Sequence, residues 1–465
     1  MSLAKPFESS SPRVYIVGGG FAGIQVAKAL AKSDCRVTLV DRRNHHVFQP
    51  LLYQVATASL SPADIAAPIR SILRKAKNCR VVLGEITGID LAKNHLLFEG
   101  GAVEFDYLVL AAGATHSYFG RDDFAKHAPG LKSLEDATEM RRRILLAFET
   151  AEYEWDPAAR RAALTFAIVG GGPTGVELAG AIKEIAAKTI PQDFRNIDTT
   201  TTRVILLQGG DRLLPAYDPE LSERAKRDLE AMGVEVRLGA RVTEVTADGV
   251  QIGSPPNAEF LQVRNVFWAA GVQASPVART MGVPLSKAGH VIVDASCAVP
   301  GHPNVFVVGD MAAMTSSDTK KPVPGVAQGA IQSGRFVGQL IASELAHKSD
   351  PSKRPTFSYW NKGELATIGR ARAVGQIKTW KVKGLFAWLM WAGVHISFLI
   401  GFRNRVAVLL SYLWYWLLNS RDVRLITGEA RLDIHSFRPG EVILAKEGEK
   451  EQTTPDVQPA ARGRR

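Results

Sequence analysis

Two glycine runs have the spacing that cradles a pyrophosphate. The first, Gly18-Gly-Gly20-Phe-Ala-Gly23, follows an apolar strand starting at Arg13 and opens a helical pattern. Gly18 permits the tight turn and Gly20 lets the backbone approach the anion. Gly23 allows helix and strand to pack closely, and the helix N-terminus supplies amide donors. The next strand, Arg36-Val-Thr-Leu-Val-Asp41, ends in a carboxylate at about the 20-residue spacing from which an acid binds a ribose hydroxyl. The pattern recurs as Gly170-Gly-Gly172-Pro-Thr-Gly175, with a partner strand from Arg203 to Gln208. An acid at the end of that strand would clamp an unphosphorylated ribose and repel a 2′-phosphate. Neutral Gln208 gives up that discrimination, so NADH and NADPH both stay open. Arg212, just downstream, is either a phosphate partner or a loop arginine with a structural one.

These turns need positioning elements, and the sequence offers them. Phe105-Asp-Tyr-Leu-Val-Leu-Ala-Ala-Gly113 and Val263-Arg-Asn-Val-Phe-Trp-Ala-Ala-Gly271 each read as a buried strand ending in small residues, suited to a return past a nucleotide. Asn304-Val-Phe-Val-Val-Gly309-Asp310 ends in a carboxylate that suits a ribitol hydroxyl of a flavin, or that only caps a helix. Two nucleotide folds in one chain predict non-covalent FAD on the first and NADH or NADPH on the second. The expected fold is α/β, two nested Rossmann-type dinucleotide-binding domains plus a C-terminal amphipathic membrane-anchoring helical region. The FAD domain takes residues 1–125 and returns at 291–355, the NAD(P)H domain takes 126–290, the anchor 356–438, and a disordered tail 439–465.

A chain of 465 residues predicts two or three domains, and its apolar content excludes disordered and fibrous classes. Cys35, Cys79 and Cys297 show neither zinc-ligand spacing nor a close dithiol, and adjacent His45 and His46 do not make a metal site. No apolar stretch precedes Arg13, so no secretory signal is read and the body is expected in the cytosol. The formal charge is +11, and its placement decides its meaning. Lys378, Lys381, Lys383, Arg403, Arg405, Arg421 and Arg424 flank the apolar C-terminal stretch, a pattern for acidic lipid headgroups; no patch for nucleic acid is present. From Gly384 to Phe402, 19 residues carry no charged group, close to the roughly 20 that span a bilayer. Gly393, His395, Ser397 and the tryptophans at 388, 391, 414 and 416 favour helices lying in the interface, ahead of one span, with a buried core helix third.

Taken together, the chain resembles the single-subunit, type II NADH:quinone oxidoreductases over nearly all its length. Beyond the glycine turns, the resemblance rests on Phe48-Gln-Pro-Leu-Leu52, Val176-Glu177-Leu-Ala, Trp268-Ala-Ala-Gly-Val, Ala327-Gln-Gly-Ala-Ile-Gln332, Gly363-Glu-Leu-Ala-Thr-Ile-Gly-Arg370 and Gly401-Phe-Arg-Asn-Arg405. It implies FAD reduced by a nicotinamide nucleotide and reoxidised by a membrane quinone without proton pumping, on a monotopic protein at the cytoplasmic face of an inner membrane. A homodimer stays open. The resemblance puts Gln328 and Ile331 where the quinone headgroup meets the flavin, with Gln332 either beside them or on a solvated helix face. The amides of the helix starting at Ala327 would point at the flavin ring. Glu177 is placed near nicotinamide and flavin, for substrate coupling or proton delivery, although a helix dipole alone also favours a carboxylate there. Gln208 departs from the acid usual in NADH-specific members. The same fold also serves sulfide:quinone oxidoreductases, which need cysteines beside the flavin, and NADH-responsive redox sensors of the apoptosis type.

Overall fold

The computed structural model of the chain describes residues 11–348, 350–418 and 423–428. The chain opens with β1 (Arg13–Val17), α1 (Phe21–Ala29), β2 (Arg36–Asp41), β3 (Cys79–Leu83) and β4 (Tyr107–Leu110). An insertion follows, with α2 (Leu134–Tyr153), β5 (Thr165–Val169), α3 (Pro173–Glu184), β6 (Arg203–Gln208), β7 (Val234–Leu238) and β8 (Asn265–Trp268). The chain returns with β9 (His302–Val307) and α4 (Ala327–His347). It then adds β10 (Glu364–Gly369), β11 (Arg372–Ile377), β12 (Trp380–Lys383), α5 (Gly384–Phe398) and α6 (Phe402–Leu418).

In the first sheet the parallel order is β9-β4-β1-β2-β3, with Ala298–Val299 antiparallel at the β9 edge. In the second it is β7-β6-β5-β8, all parallel. Parallel strands are covered on both faces and so read as continuous apolar runs; every residue of β5 is buried. Strands β10, β11 and β12 form a third, antiparallel sheet.

Helix α4 is seated on α1 by two glycines one turn apart. A Cβ at Gly334 would lie 2.4 Å from the Ala22 carbonyl oxygen, and one at Gly338 would lie 2.7 Å from the Ala29 Cβ. That close approach brings the start of α4 to the first glycine turn.

The apolar C-terminal stretch does not form one long helix. It breaks at Leu399–Gly401, where Gly401 has φ +94°, into α5 and α6. The 15 residues of α5 reach about 22 Å, short of the roughly 30 Å hydrocarbon core. Among the described residues no helix is long and apolar enough to cross a membrane. Nor is α5 amphipathic in the expected sense. It buries Ala387, Trp391 and Ala392 against the body while Leu385, Phe386 and Leu389 stand exposed, so both faces are apolar. Protein on one side supplies the contact that a one-sided pattern would have left to lipid. The expected tail at 439–465, Arg421 and residues 429–438 lie outside the described residues.

Candidate functional site

The first turn is built as its spacing requires. Gly18 has φ +106°, and a Cβ there would lie 2.4 Å from the Ala111 carbonyl oxygen; one at Gly23 would lie 1.9 Å from that of Gly18. At Gly20 the nearest atom would be 3.9 Å away, so this position alone is open. Asp41 accepts from the Gly19 amide at 2.6 Å and from the Arg43 amide at 2.7 Å. The acid therefore holds the turn itself. On the other side His46, buried, lies 3.1 Å from the Gly19 carbonyl through Nδ1. Burial pushes the imidazole down to about 4, so it is neutral and Nδ1–H is the donor. Sequence reasoning considered this histidine only as a metal ligand and missed its service to the turn.

Facing this turn are Gly309 and α4. A Cβ at Gly309, where φ is +65°, would lie 3.2 Å from the Ala330 Cβ and 3.5 Å from that of Ala22, so the turns and the α4 start share one small space. Asp310 sits there and favours the charge on the half-buried Lys132, whose ammonium desolvation disfavours. Gly113 has φ +72° and open space around its missing Cβ. Gln328 carries a buried side-chain oxygen with no hydrogen-bond partner. An open glycine, a helix start at Ala327 and an orphaned carbonyl fit a dinucleotide with a ring system at its far end. Gln332 differs: its amide pairs both ways with the backbone of Trp360, at 3.0 Å each. It ties down the chain after α4. Ile331 is half-buried, three residues from Gln328.

The second turn repeats the first. Gly170 has φ +115°, with the backbone of Ala269 at 2.7 Å from its Cβ position; Gly175 would clash with the Gly170 oxygen at 1.8 Å; Gly172 is open. Gln208 takes the station of Asp41, its Oε1 accepting from the Gly171 amide at 2.9 Å and its Nε2 donating to the Arg212 carbonyl at 3.2 Å. Arg212 donates to the Pro215 carbonyl at 2.7 Å, the structural role. Gly271 has φ +77° and makes room for a ring, since a Cβ would lie 2.6 Å from Phe119. Its smallness thus serves Phe119 directly. Gln208→Glu keeps the acceptor for Gly171 and adds a charge where a 2′-phosphate would lie. It is expected to lower kcat/KM for NADPH at least tenfold while changing that for NADH by less than threefold. Equal effects on both nucleotides would remove Gln208 from the specificity site.

A cavity of about 320 Å³ lies beyond the second turn. Glu177, Ala181 and Glu184, on one face of α3 by their spacing of four and three, form its floor. Tyr53 and Gln54 form one wall, Thr367 to Arg370 another, and Trp388, Tyr412 and Trp414 the roof. The two carboxylates differ. Glu184 accepts from the Arg370 amide at 2.6 Å and the Tyr415 hydroxyl at 2.9 Å. Burial holds the Glu177 carboxyl well above the usual range, partly offset by a hydrogen bond from the Thr367 backbone. Gln328, Ile331 and Gln332 are not part of these walls. The signal was present in pieces, since Tyr53 and Gln54 directly follow Phe48 to Leu52, and Thr367 lies inside the Gly363 to Arg370 run.

The surroundings of the three cysteines disfavour the thiolate. Burial pushes Cys35 and Cys79 up to about 11, and Cys297 higher still. Among the described residues no cluster of His, Cys, Asp or Glu forms a metal site.

Around the apolar C-terminal face the charges are not all free. Lys381 pairs with Asp218 at 2.8 Å and Glu220 at 3.2 Å, and Lys383 with Glu220 at 3.3 Å, clipping β12 to the helix Pro219–Ala231. Arg424 pairs with Asp193. These three cations have partners within the protein, whereas Lys378, Arg403 and Arg405 stand exposed. Phe402 is 83% exposed and Phe386 64%, a contiguous supply of apolar surface on α5 and α6.

A family model for pyridine nucleotide-disulphide oxidoreductases matches residues 12–334, and one for the NDH2 C-terminal domain matches 361–422. The chain is 45% identical over 426 residues, 90% of each chain, to the type II NADH:quinone oxidoreductase Ndh of Mycobacterium tuberculosis. The solved structure of NDH2 from Plasmodium falciparum in complex with NADH superposes with TM-score 0.80 at 21% identity, covering 89% of this chain and 99% of that one. The sulfide:quinone oxidoreductase of Aquifex aeolicus superposes with TM-score 0.67 at 18% identity, covering 85% and 92%. At such identities the two structures speak to the fold alone.

Proposed function

This chain belongs to the type II NADH:quinone oxidoreductases, enzymes that oxidise NADH and reduce a quinone without pumping protons, and from that premise we propose how its own residues divide the work. The enzyme uses a flavin and NADH. We assign the flavin as FAD, held without a covalent bond by Gly18, Gly20, Gly23, Asp41, Gly113, Gly309, Asp310 and the amides starting at Ala327. The nicotinamide nucleotide belongs on Gly170, Gly172, Gly175 and Gln208, in the unit 126–290. When bound, the flavin takes a hydride from NADH and passes two electrons to quinone.

The observation that carries the quinone assignment is a cavity that the half-buried Glu177 lines and the exposed apolar helices roof, with desolvation favouring the neutral form of that carboxyl. Leu410 and Trp414, at the cavity, are 58% and 50% exposed, so a lipid-soluble quinone has an apolar approach to Glu177. Glu177 donates a proton to a quinone oxygen; Gln328, with its unpartnered carbonyl, orients groups at the flavin end, and Ile331 lies beside it. The apolar face of α5 and α6 docks on the lipid surface at the cytoplasmic side of a membrane, which keeps the cavity mouth at the depth of its substrate. The sulfide reading is not favoured: its sulfur carrier would need a reactive thiolate, and desolvation disfavours the thiolate at Cys35, Cys79 and Cys297. The sensor reading, which turns over slowly, is not favoured either.

The test is anaerobic rapid mixing. NADH should bleach the flavin absorbance quickly, and a long-chain quinone should restore it quickly. Flavin that bleaches and then stays bleached with quinone present would overturn the assignment.

A further inference from the structure

Gln54 is buried in the short helix Leu52–Ala56 between two tyrosines. Its Nε2 donates to the Tyr53 hydroxyl at 2.9 Å and its Oε1 accepts from the Tyr412 hydroxyl at 3.0 Å. The Tyr53 hydroxyl in turn lies 2.9 Å from Oγ1 of Thr367. All four side chains line the cavity, and they come from α6, the short helix and β10. The chain of contacts starts on the helix with the exposed apolar face and ends on Thr367, which lines the cavity together with Glu177.

A primary amide accepts at one end and donates at the other. Set between two hydroxyls, it makes both point the same way along the chain. Tyr412 gives its hydrogen to Gln54, Gln54 gives one to Tyr53, and the Tyr53 hydrogen is left for Thr367. The Thr367 hydroxyl, already accepting, then has its own hydrogen to offer the cavity next to Glu177. Without the amide each hydroxyl is free to reverse.

We propose that Gln54 is a positioning residue for quinone reduction: by fixing the direction of the Tyr412-Gln54-Tyr53-Thr367 chain it holds a hydroxyl donor beside Glu177 and ties that donor to the seating of α6. The proposal rests on reading the cavity as the quinone site. It explains why a polar amide is buried at the joint between the FAD-binding part and the C-terminal helices, where an apolar residue would pack as well.

The test uses the full-length, flavin-loaded enzyme with long-chain quinone in vesicles, comparing Gln54→Met, Gln54→Glu, Tyr412→Phe and the double variant Gln54→Met/Tyr412→Phe. Gln54→Met should raise KM for quinone about tenfold, the effect of one ordered hydrogen bond, with a much smaller change in kcat. Gln54→Glu keeps the shape and, with its buried carboxyl neutral, still accepts from Tyr412 and donates to Tyr53, so it should stay near the wild-type KM. The double variant should be no worse than Gln54→Met, because both changes break one chain. A Gln54→Met enzyme with wild-type KM would mean packing only and overturn the proposal, as would losses that multiply in the double variant or that fall on kcat. Should Gln54→Met fail to bind flavin, Tyr412→Phe, one hydroxyl removed from α6, carries the test alone. Leu410→Trp separates the two readings, since it obstructs the cavity from an exposed position. If it raises KM for quinone while Gln54→Met does not, only the Gln54 proposal falls; if it leaves KM unchanged, the cavity reading and this proposal fall together.

Discussion

Glu177→Gln is expected to slow reoxidation by quinone about 100-fold, within the range for loss of a general acid, and to slow bleaching by NADH far less. Gln preserves the volume and a hydrogen-bond donor but has no proton to give up. The pH dependence has a definite sign. Burial favours the neutral carboxyl, so its folded pKa lies above its unfolded one. The competent, protonated form is present below the raised pKa, and quinone turnover should fall as pH rises through it, an alkaline limb that Glu177→Gln lacks. The same shift acts on stability. Between the two pKa values the folded state binds the proton and the unfolded state does not, so stability declines as pH rises there. Gln removes that cost, and the variant should melt at a higher temperature than the wild type at neutral and alkaline pH. Slower reoxidation with a raised melting temperature is a pairing that misfolding cannot produce. Equal slowing with NADH and with quinone would move Glu177 out of the quinone half of the reaction.

How much of this was legible in the sequence depends on how local each cause is. Gly18 and Gly170 were readable because a positive φ and a neighbouring strand leave no room for a Cβ, and both causes act within one turn. Gln208 was readable as the counterpart of Asp41, and the structure gives the two residues the same bond to a glycine amide. The cavity was not. Gln54 and Tyr412 are 358 positions apart, and no local pattern signals that an amide and a phenol will meet. The partner of Gln332, the backbone of Trp360, was hidden for the related reason that it belongs to an irregular stretch with no periodicity to place it. Lys381 and Lys383 looked like a lipid-facing pair because composition shows charge without its neighbours, Asp218 and Glu220, contributed by a helix more than 150 residues earlier. The second glycine turn and the C-terminal run each announced a function; their joint product, a carboxyl under an apolar roof, exists only after folding.

That roof supplies the other large effect. Phe386→Asp combined with Leu389→Asp, two exposed residues one turn apart on α5, should release the enzyme from lipid vesicles. Burying each such side chain is worth roughly 1.5–3 kcal/mol, so the pair should cost about 10²- to 10⁴-fold in partitioning before the charge is counted. Turnover with long-chain quinone should fall with it, and turnover with a short, water-soluble quinone should persist. Point changes are the right instrument because truncation is not. Removing the chain from Gly384 onward would take away Trp391, which is 1% exposed, together with Trp388 and Tyr412 from the cavity, and so would damage the fold and the site at once. Charge offers a second discrimination. With Lys381 and Lys383 neutralised by Asp218 and Glu220, attachment should rest on apolar area, which salt does not screen. Vesicle binding of the wild type should therefore survive high salt and the omission of anionic lipid. Binding lost under those conditions yet kept in the Phe386→Asp/Leu389→Asp variant would show that the exposed cations Lys378 and Arg403, and not the apolar face of α5, hold the enzyme where its quinone is.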